Sequence, residues 1–143
     1  MKYEFASSEW LAALHGIIVE RAETLSKSQP NLWMSTCEVF YDAPRHLADE
    51  NGKVAWSCVV NGGNVDFQRR ERDDIRYKVL ADYDAIVPMG RYDTRGEEAR
   101  AAELQRMVGA LLADGKMSRP LGDKVRDADS FPLLHDAIAR LTA

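Results

Sequence analysis

Leu11, Leu14, Ile18, Ala22 and Leu25 recur in steps of three and four, which places apolar side chains along one stripe of a helix. Trp10 and Ile17 widen that stripe, Ser7 is placed to cap its start, and Glu9 suits the positive N-terminal end. The polar stretch Ser26 to Asn31, with Pro30, ends the element.

The period then changes to that of strands. In Leu32–Tyr41, Trp33, Cys37, Val39 and Tyr41 alternate onto one face, and Met34, Thr36 and Phe40 onto the other. A run largely apolar on both faces predicts a strand covered on both sides. Asp42 to Gly52 is rich in loop formers, and Lys53–Val60 then places Val54, Trp56, Cys58 and Val60 together. Asn61-Gly62-Gly63-Asn64 accepts positive φ and predicts a tight turn into a third strand, Val65–Arg69. After the polar turn Glu71–Asp74, a fourth strand carries Ile75, Tyr77 and Val79. The shortness of these connections predicts an antiparallel meander.

Helical spacing returns after that. Asp82 caps a short helix through Tyr83, Ile86 and Val87 that Pro88 closes. Thr94 with Glu97 forms a capping-box pattern ahead of Ala101, Leu104, Val108 and Leu111, with Met107 beside them and Gly115 at the end. Lys116–Asp123 reads as a last strand. Asp129 or Ser130 then caps a final helix with Pro132 in its first turn and Leu134, Ile138 and Leu141 on its buried face. The order of helix, four strands, two helices, strand and helix is α+β, which disfavours a doubly wound nucleotide-binding fold. With no repeat or linker, residues 1–143 read as one domain.

Composition narrows the function classes. A net charge of -4 over 143 residues lacks the basic face that nucleic acid requires. No apolar run approaches the length of about 20 residues that crosses a bilayer, and Met1-Lys2-Tyr3-Glu4-Phe5 does not open like a secretory leader. The expected compartment is the cytoplasm, where Cys37 and Cys58, both inside apolar strand-like runs, are free buried thiols.

Little catalytic machinery is legible. There is no phosphate-binding glycine loop and no GxSxG elbow. His15, His46 and His135 are too scattered to suggest a metal. No cofactor is expected. The mixed-sign runs Arg69–Lys78 and Arg91–Arg106 read as solvated surface. His15, flanking the first apolar stripe, is either a core-edge histidine or a polar group inside a ligand cavity. Asp66, alternating with Val65 and Phe67, reads as an outer-face carboxylate. The aromatic and methionine set spread over sheet and helices describes either a solid core or the wall of an apolar pocket.

The order of elements and several short motifs resemble the sterol carrier protein domain. The motifs are Gly52-Lys53 leading into the Trp56 strand, the Asn61-Gly62-Gly63 turn, and the Asp-rich turn before Tyr77. Ala81-Asp82-Tyr83 at a helix start, then Gly115-Lys116-Met117 followed by Gly122-Asp123, complete the set. The resemblance covers Trp10 to Leu141. It implies a mixed, mostly antiparallel five-stranded sheet with helices on one face, an enclosed apolar cavity between them, and binding or transfer of fatty acyl, sterol or similar molecules. Carried onto this chain, the lining would be Trp33, Val39, Trp56 and Phe67 from the sheet, with Leu14, Ile18, Tyr83, Met107, Leu111 and Ile138 from the helices. Three departures stand out. Gly90–Ala113 is longer and more charged than the usual connection and could act as a lid. Arg119-Pro120 interrupts the closing strand, and the chain ends Leu-Thr-Ala, unlike a peroxisomal signal.

Two other functions fit the same scaffold. One is a cofactor-free enzyme performing acid–base chemistry (isomerase, hydratase or cyclase type) on a hydrophobic substrate, with His15, Tyr83, Asp66 and Asp84 as its candidate groups. The other is a solid-cored interaction module forming a homodimer through a sheet edge or the charged helix.

Overall fold

The computed structural model describes residues 1–119 and 131–143. The far end of the expected last strand, at Asp123, and the caps Asp129 and Ser130 lie outside the described residues. The elements are α1 (Ser8–Ser26), β1 (Trp33–Tyr41), β2 (Val54–Asn61), β3 (Asn64–Gln68), β4 (Tyr77–Asp82), α2 (Tyr83–Gly90), α3 (Glu98–Ala113), β5 (Met117–Ser118) and α4 (His135–Leu141).

The strands form one five-stranded mixed sheet in the order β3-β2-β1-β4-β5, an α+β fold. β2 lies antiparallel to β1, with Glu38 opposite Trp56, and β3 follows β2 through a turn in which Gly62 takes φ 60°. β4 runs parallel to β1 on its other side, with Glu38 aligned to Val79. β5 adds a short antiparallel edge, Met117 facing Ala81.

The expected meander therefore stops at β3. From its edge the chain crosses to the far side of β1 through residues 69–76 before entering β4. Eight residues reach at most about 28 Å, enough to pass three strand spacings sideways, about 14 Å, while returning along the strand direction. Burial supplies the reason for the crossing. Cys37 and Val39 form a second apolar face of β1, and Ile75 of the crossover packs against both. The main chain of Arg76 also donates to Ser35 Oγ at 3.0 Å, fixing where β4 begins.

The crossover also departs from a fully solvated run. Arg72 is only 6% exposed and donates to Asp66 at 2.7 Å, while Lys78 is buried between Glu71 at 2.6 Å and Asp73 at 3.0 Å. Covered charges need partners of this kind. Asp66 itself stays exposed on the face away from the helices, its carboxyl held below the usual range by hydrogen bonds from Gln68 and Arg72.

On the opposite face, Met34, Phe40, Trp56, Cys58, Val60, Val79 and Ala81 join Trp10, Leu14, Ile18, Tyr83 and Ile86 in the main core. Ser7 caps α1 by accepting from Trp10 N, as the polar position before the stripe predicts. Asp82 caps α2 through Ala85 N, and that helix runs two residues beyond Pro88. α3 begins at Glu98 rather than at Thr94, because Thr94 is taken by the carboxylate of Asp136 on α4. The two chain ends meet: Tyr3 N donates to Leu141 O at 2.7 Å, and the Trp10 indole donates to Thr142 Oγ1 at 3.1 Å.

Candidate ligand-binding cleft

Between the helix-facing side of the sheet and the helices lies a cleft of about 190 Å³. Alternation along β1 delivers Met34, Thr36, Glu38 and Phe40 to its floor, and β2 adds Trp56. β4 supplies Tyr77 and Val79, and β5 supplies Met117. The helical wall is Ile86, Met89 and Gly90 from α2, Val108 from α3, and Leu134, His135 and Ile138 around α4. Phe5 closes one side, its ring 4.9 Å from Phe40 and 4.8 Å from Trp10. Arg119 and Leu133 complete the lining, and Leu133 is 72% exposed, which puts it at the mouth.

The polar groups are few. The Trp56 indole N–H donates to Glu38 Oε1 at 2.9 Å, so a carboxylate and an indole share the floor. His135 Nε2 lies 2.7 Å from the Tyr92 carbonyl, tying the wall to the loop before α3. Such a lining, mostly apolar with sparse convergent polar groups, is the usual character of a small-molecule site.

The expected lining residues are placed unevenly. Trp56 and Ile138 line the cleft. Trp33 and Val39 do not: they point to the other face of β1, where Arg76 lies over the Trp33 ring and Ile75 covers Val39. Leu14 and Ile18 are fully buried in the solid core, and Leu111 packs against that core from α3. Met107 is partly exposed on α3 and does not reach the cleft. Phe67 lies beside it, stacked on Trp56 at 5.6 Å. Tyr83 is buried, and its hydroxyl donates to Phe5 O at 2.6 Å. Burial, with the charges of Glu4 and Asp84 adding, pushes that phenol up to about 12.

The four acid–base candidates do not converge. His15 stacks on Phe67 at 4.6 Å with planes 8° apart, Tyr83 is spent on Phe5, Asp66 faces Arg72 beneath the sheet, and Asp84 is exposed on α2. Glu38 is one of the polar lining residues that sequence patterning missed, with Thr36, Tyr77, Arg119 and His135. Its signal was present: it is the single charged residue in the nine-residue strand Trp33–Tyr41.

No family model and no curated protein matches the chain. Among solved structures it is similar to a UbiJ-SCP2 ubiquinone synthesis protein, at 15% identity over 92% of this chain and 93% of that one, with a TM-score of 0.47. It is also similar to a conserved hypothetical protein of Thermus thermophilus described as a candidate sterol carrier protein. There the identity is 12% over 100% of this chain and 94% of that one, with a TM-score of 0.49. No helix among the described residues is long and apolar enough to cross a membrane.

Proposed function

We propose that the protein binds a hydrophobic small molecule, of the acyl-chain, sterol or related class, with an apolar part of it held in the cleft between sheet and helices. The observation that carries this reading is the lining itself: Met34, Phe40, Val79, Ile86 and Met117 enclose space around one hydrogen-bonded pair, Glu38 and Trp56. Volume sets the scale. An engineered apolar cavity of about 150 Å³ takes up benzene, so about 190 Å³ accommodates one ring or a short chain segment. The rest of a larger ligand leaves past Leu133. Binding in the cytoplasm is supported by two buried cysteines that remain unpaired, Cys37 and Cys58.

The test is organic extraction of the purified protein followed by mass spectrometry, alongside titration with an environment-sensitive fluorescent fatty acid. A recovered apolar ligand, or saturable fluorescence that competes with it, is expected. Recovery of nothing together with no saturable signal overturns the reading.

A further inference from the structure

We infer that Thr36 is the polar anchor of the cleft: its hydroxyl donates a hydrogen bond to a neutral carbonyl oxygen, such as a ketone, on an otherwise apolar ligand. This rests on the proposed cleft function and adds the residue and the chemical class that fix the ligand's buried end. Thr36 lies near the middle of β1, the central strand, between Met34 and Glu38 on the face that floors the cleft. It is only 5% exposed, yet its hydroxyl has no hydrogen-bond partner among the described residues. The other polar side chains of the lining are engaged. The Trp56 indole donates to Glu38, His135 meets the Tyr92 carbonyl, and Glu38, Tyr77 and Arg119 each hold contacts of their own.

A hydroxyl offers one donor and two acceptor positions, and a buried one left unpartnered bears the full penalty of its lost hydration. Ser57 Oγ bears it in a sealed place, on the opposite face of the sheet, whereas Thr36 borders open space that a ligand oxygen enters. The surroundings choose a neutral oxygen over an anionic one. Cys58 stands directly across the strand pair from Thr36, and burial pushes its thiol up to about 12, so this part of the floor resists negative charge. A carboxylate held here by one hydroxyl would give up its hydration for a single bond. A carbonyl has less hydration to lose, and one donor satisfies it. The competing arrangement lays only hydrocarbon on Thr36 and leaves the ligand's polar end outside the mouth at Leu133.

Cyclohexanone, methylenecyclohexane and cyclohexanecarboxylate decide between them, the same ring carrying a carbonyl, a hydrocarbon of matched shape or a charge. Each is titrated at neutral pH into ¹⁵N-labelled wild type, Thr36→Val and Thr36→Ser, with the backbone amides at position 36 and of Val79 as reporters. Valine keeps the branched shape that suits a strand and removes the hydroxyl, while serine keeps the hydroxyl. The ketone-to-alkene affinity ratio, in which the probes' own hydration cancels between proteins, is expected to fall about fivefold in Thr36→Val. It is expected to recover in Thr36→Ser, and the carboxylate is expected to bind wild type most weakly. The infrared carbonyl stretch of cyclohexanone bound to wild type is expected below its value in hexane, because a hydrogen bond to the oxygen weakens the C=O bond. Should Thr36→Val fail to fold, that stretch decides: a lowered value supports the anchor and a hexane-like value overturns it. A ratio unchanged in Thr36→Val overturns the anchor and leaves the cleft function standing. Carboxylate binding tighter than ketone binding overturns the neutral class. Absence of a saturable response to all three probes in wild type overturns both the anchor and the function on which it rests.

Discussion

The carboxylate of Asp136 receives two hydrogen bonds from Thr94, from the main-chain N–H at 2.9 Å and from the hydroxyl at 2.6 Å. This pair fastens the loop ahead of α3 to the start of α4. Arg140 with Asp93 at 3.3 Å and His135 with the Tyr92 carbonyl complete a three-point clasp over one end of the cleft.

Burial raises the Asp136 pKa, but the two bonds from Thr94 and the nearby His135 and Arg140 outweigh it, so the group is held below its ordinary 3.8. A carboxylate depressed in the folded state stabilises above its unfolded value and loses that stabilisation as pH falls through the folded one. Thr94→Val removes the hydroxyl bond and is expected to cost about 1 kcal/mol at pH 7. In thermal melts across pH, the gap between wild type and variant closes below pH 3.8, as Asp136 protonates. A gap that persists undiminished at pH 2 would remove the charge from the explanation.

Gly90 is a packing constraint on the cleft. A Cβ there would meet Phe5 Cε2 at 2.9 Å, and Phe5 is wedged among Trp10, Phe40 and Tyr83 at 4.8, 4.9 and 5.8 Å. Both residues line the cleft. Gly90→Ala is expected to destabilise by about 1–3 kcal/mol, the usual range for overpacking. It is also expected to weaken apolar probe binding several-fold. Measured by chemical denaturation and probe titration, unchanged values in both would show that the wall yields more than a packed aromatic cluster should.

How far the sequence carried this picture is visible strand by strand. Alternation in β1 correctly separates Met34, Thr36 and Phe40 from Trp33, Cys37 and Val39. It does not say which set faces the helices, because both faces are apolar, and the expected lining takes Trp33 and Val39 from the wrong one. What settles the matter is the crossover 69–76, whose Ile75 covers the second face. That crossover reads locally as a polar turn, since its burial rests on long-range pairings such as Arg72 with Asp66. Connection length alone suggests a hairpin into β4. The energetic demand of an uncovered apolar face on β1 overrides it. The capping positions Ser7 and Asp82 are legible because they act within a few residues. Thr94 misleads because its partner lies 42 residues away.

His15, Phe67 and Trp56 form a continuous stack from α1 through β3 to β2, with ring centres 4.6 and 5.6 Å apart. The stack holds the His15 ring flat against Phe67, outside the lining of the cleft. His15→Phe preserves the ring and is expected to leave apolar probe binding unchanged and stability within about 1 kcal/mol. Phe67→Ala breaks both contacts and is expected to cost about 2–3 kcal/mol, the lower side of the range for a truncated phenylalanine because the residue is half-buried. Loss of ligand binding in His15→Phe, with stability intact, would return His15 to the site.

Cys58 is fully buried on the helix-facing side of β2, and burial pushes its thiol up to about 12, against the pull of Arg72. Cys37 is also raised, chiefly by burial, although the Arg72 main chain and Lys78 pull it down. Two consequences follow from the same desolvation. A reagent that needs the thiolate is expected to leave both cysteines unmodified in the native protein at pH 8 and to titrate both in denaturant. The second consequence concerns alkaline stability. A group whose pKa is raised on folding stabilises fully below its unfolded value, here 9.0 for each thiol and 10.0 for Tyr83. That stability is lost as pH rises from the unfolded value toward the folded one, because the unfolded chain releases protons that the native chain retains. The unfolding free energy is therefore expected to be level between pH 7 and 8 as far as these groups contribute, and to fall progressively from pH 9 to pH 12. Cys58→Ala removes one titrating group and is expected to flatten the fall beginning at pH 9, while Tyr83→Phe flattens the part beginning at pH 10. Identical slopes in wild type and both variants would mean that other groups govern unfolding in alkali.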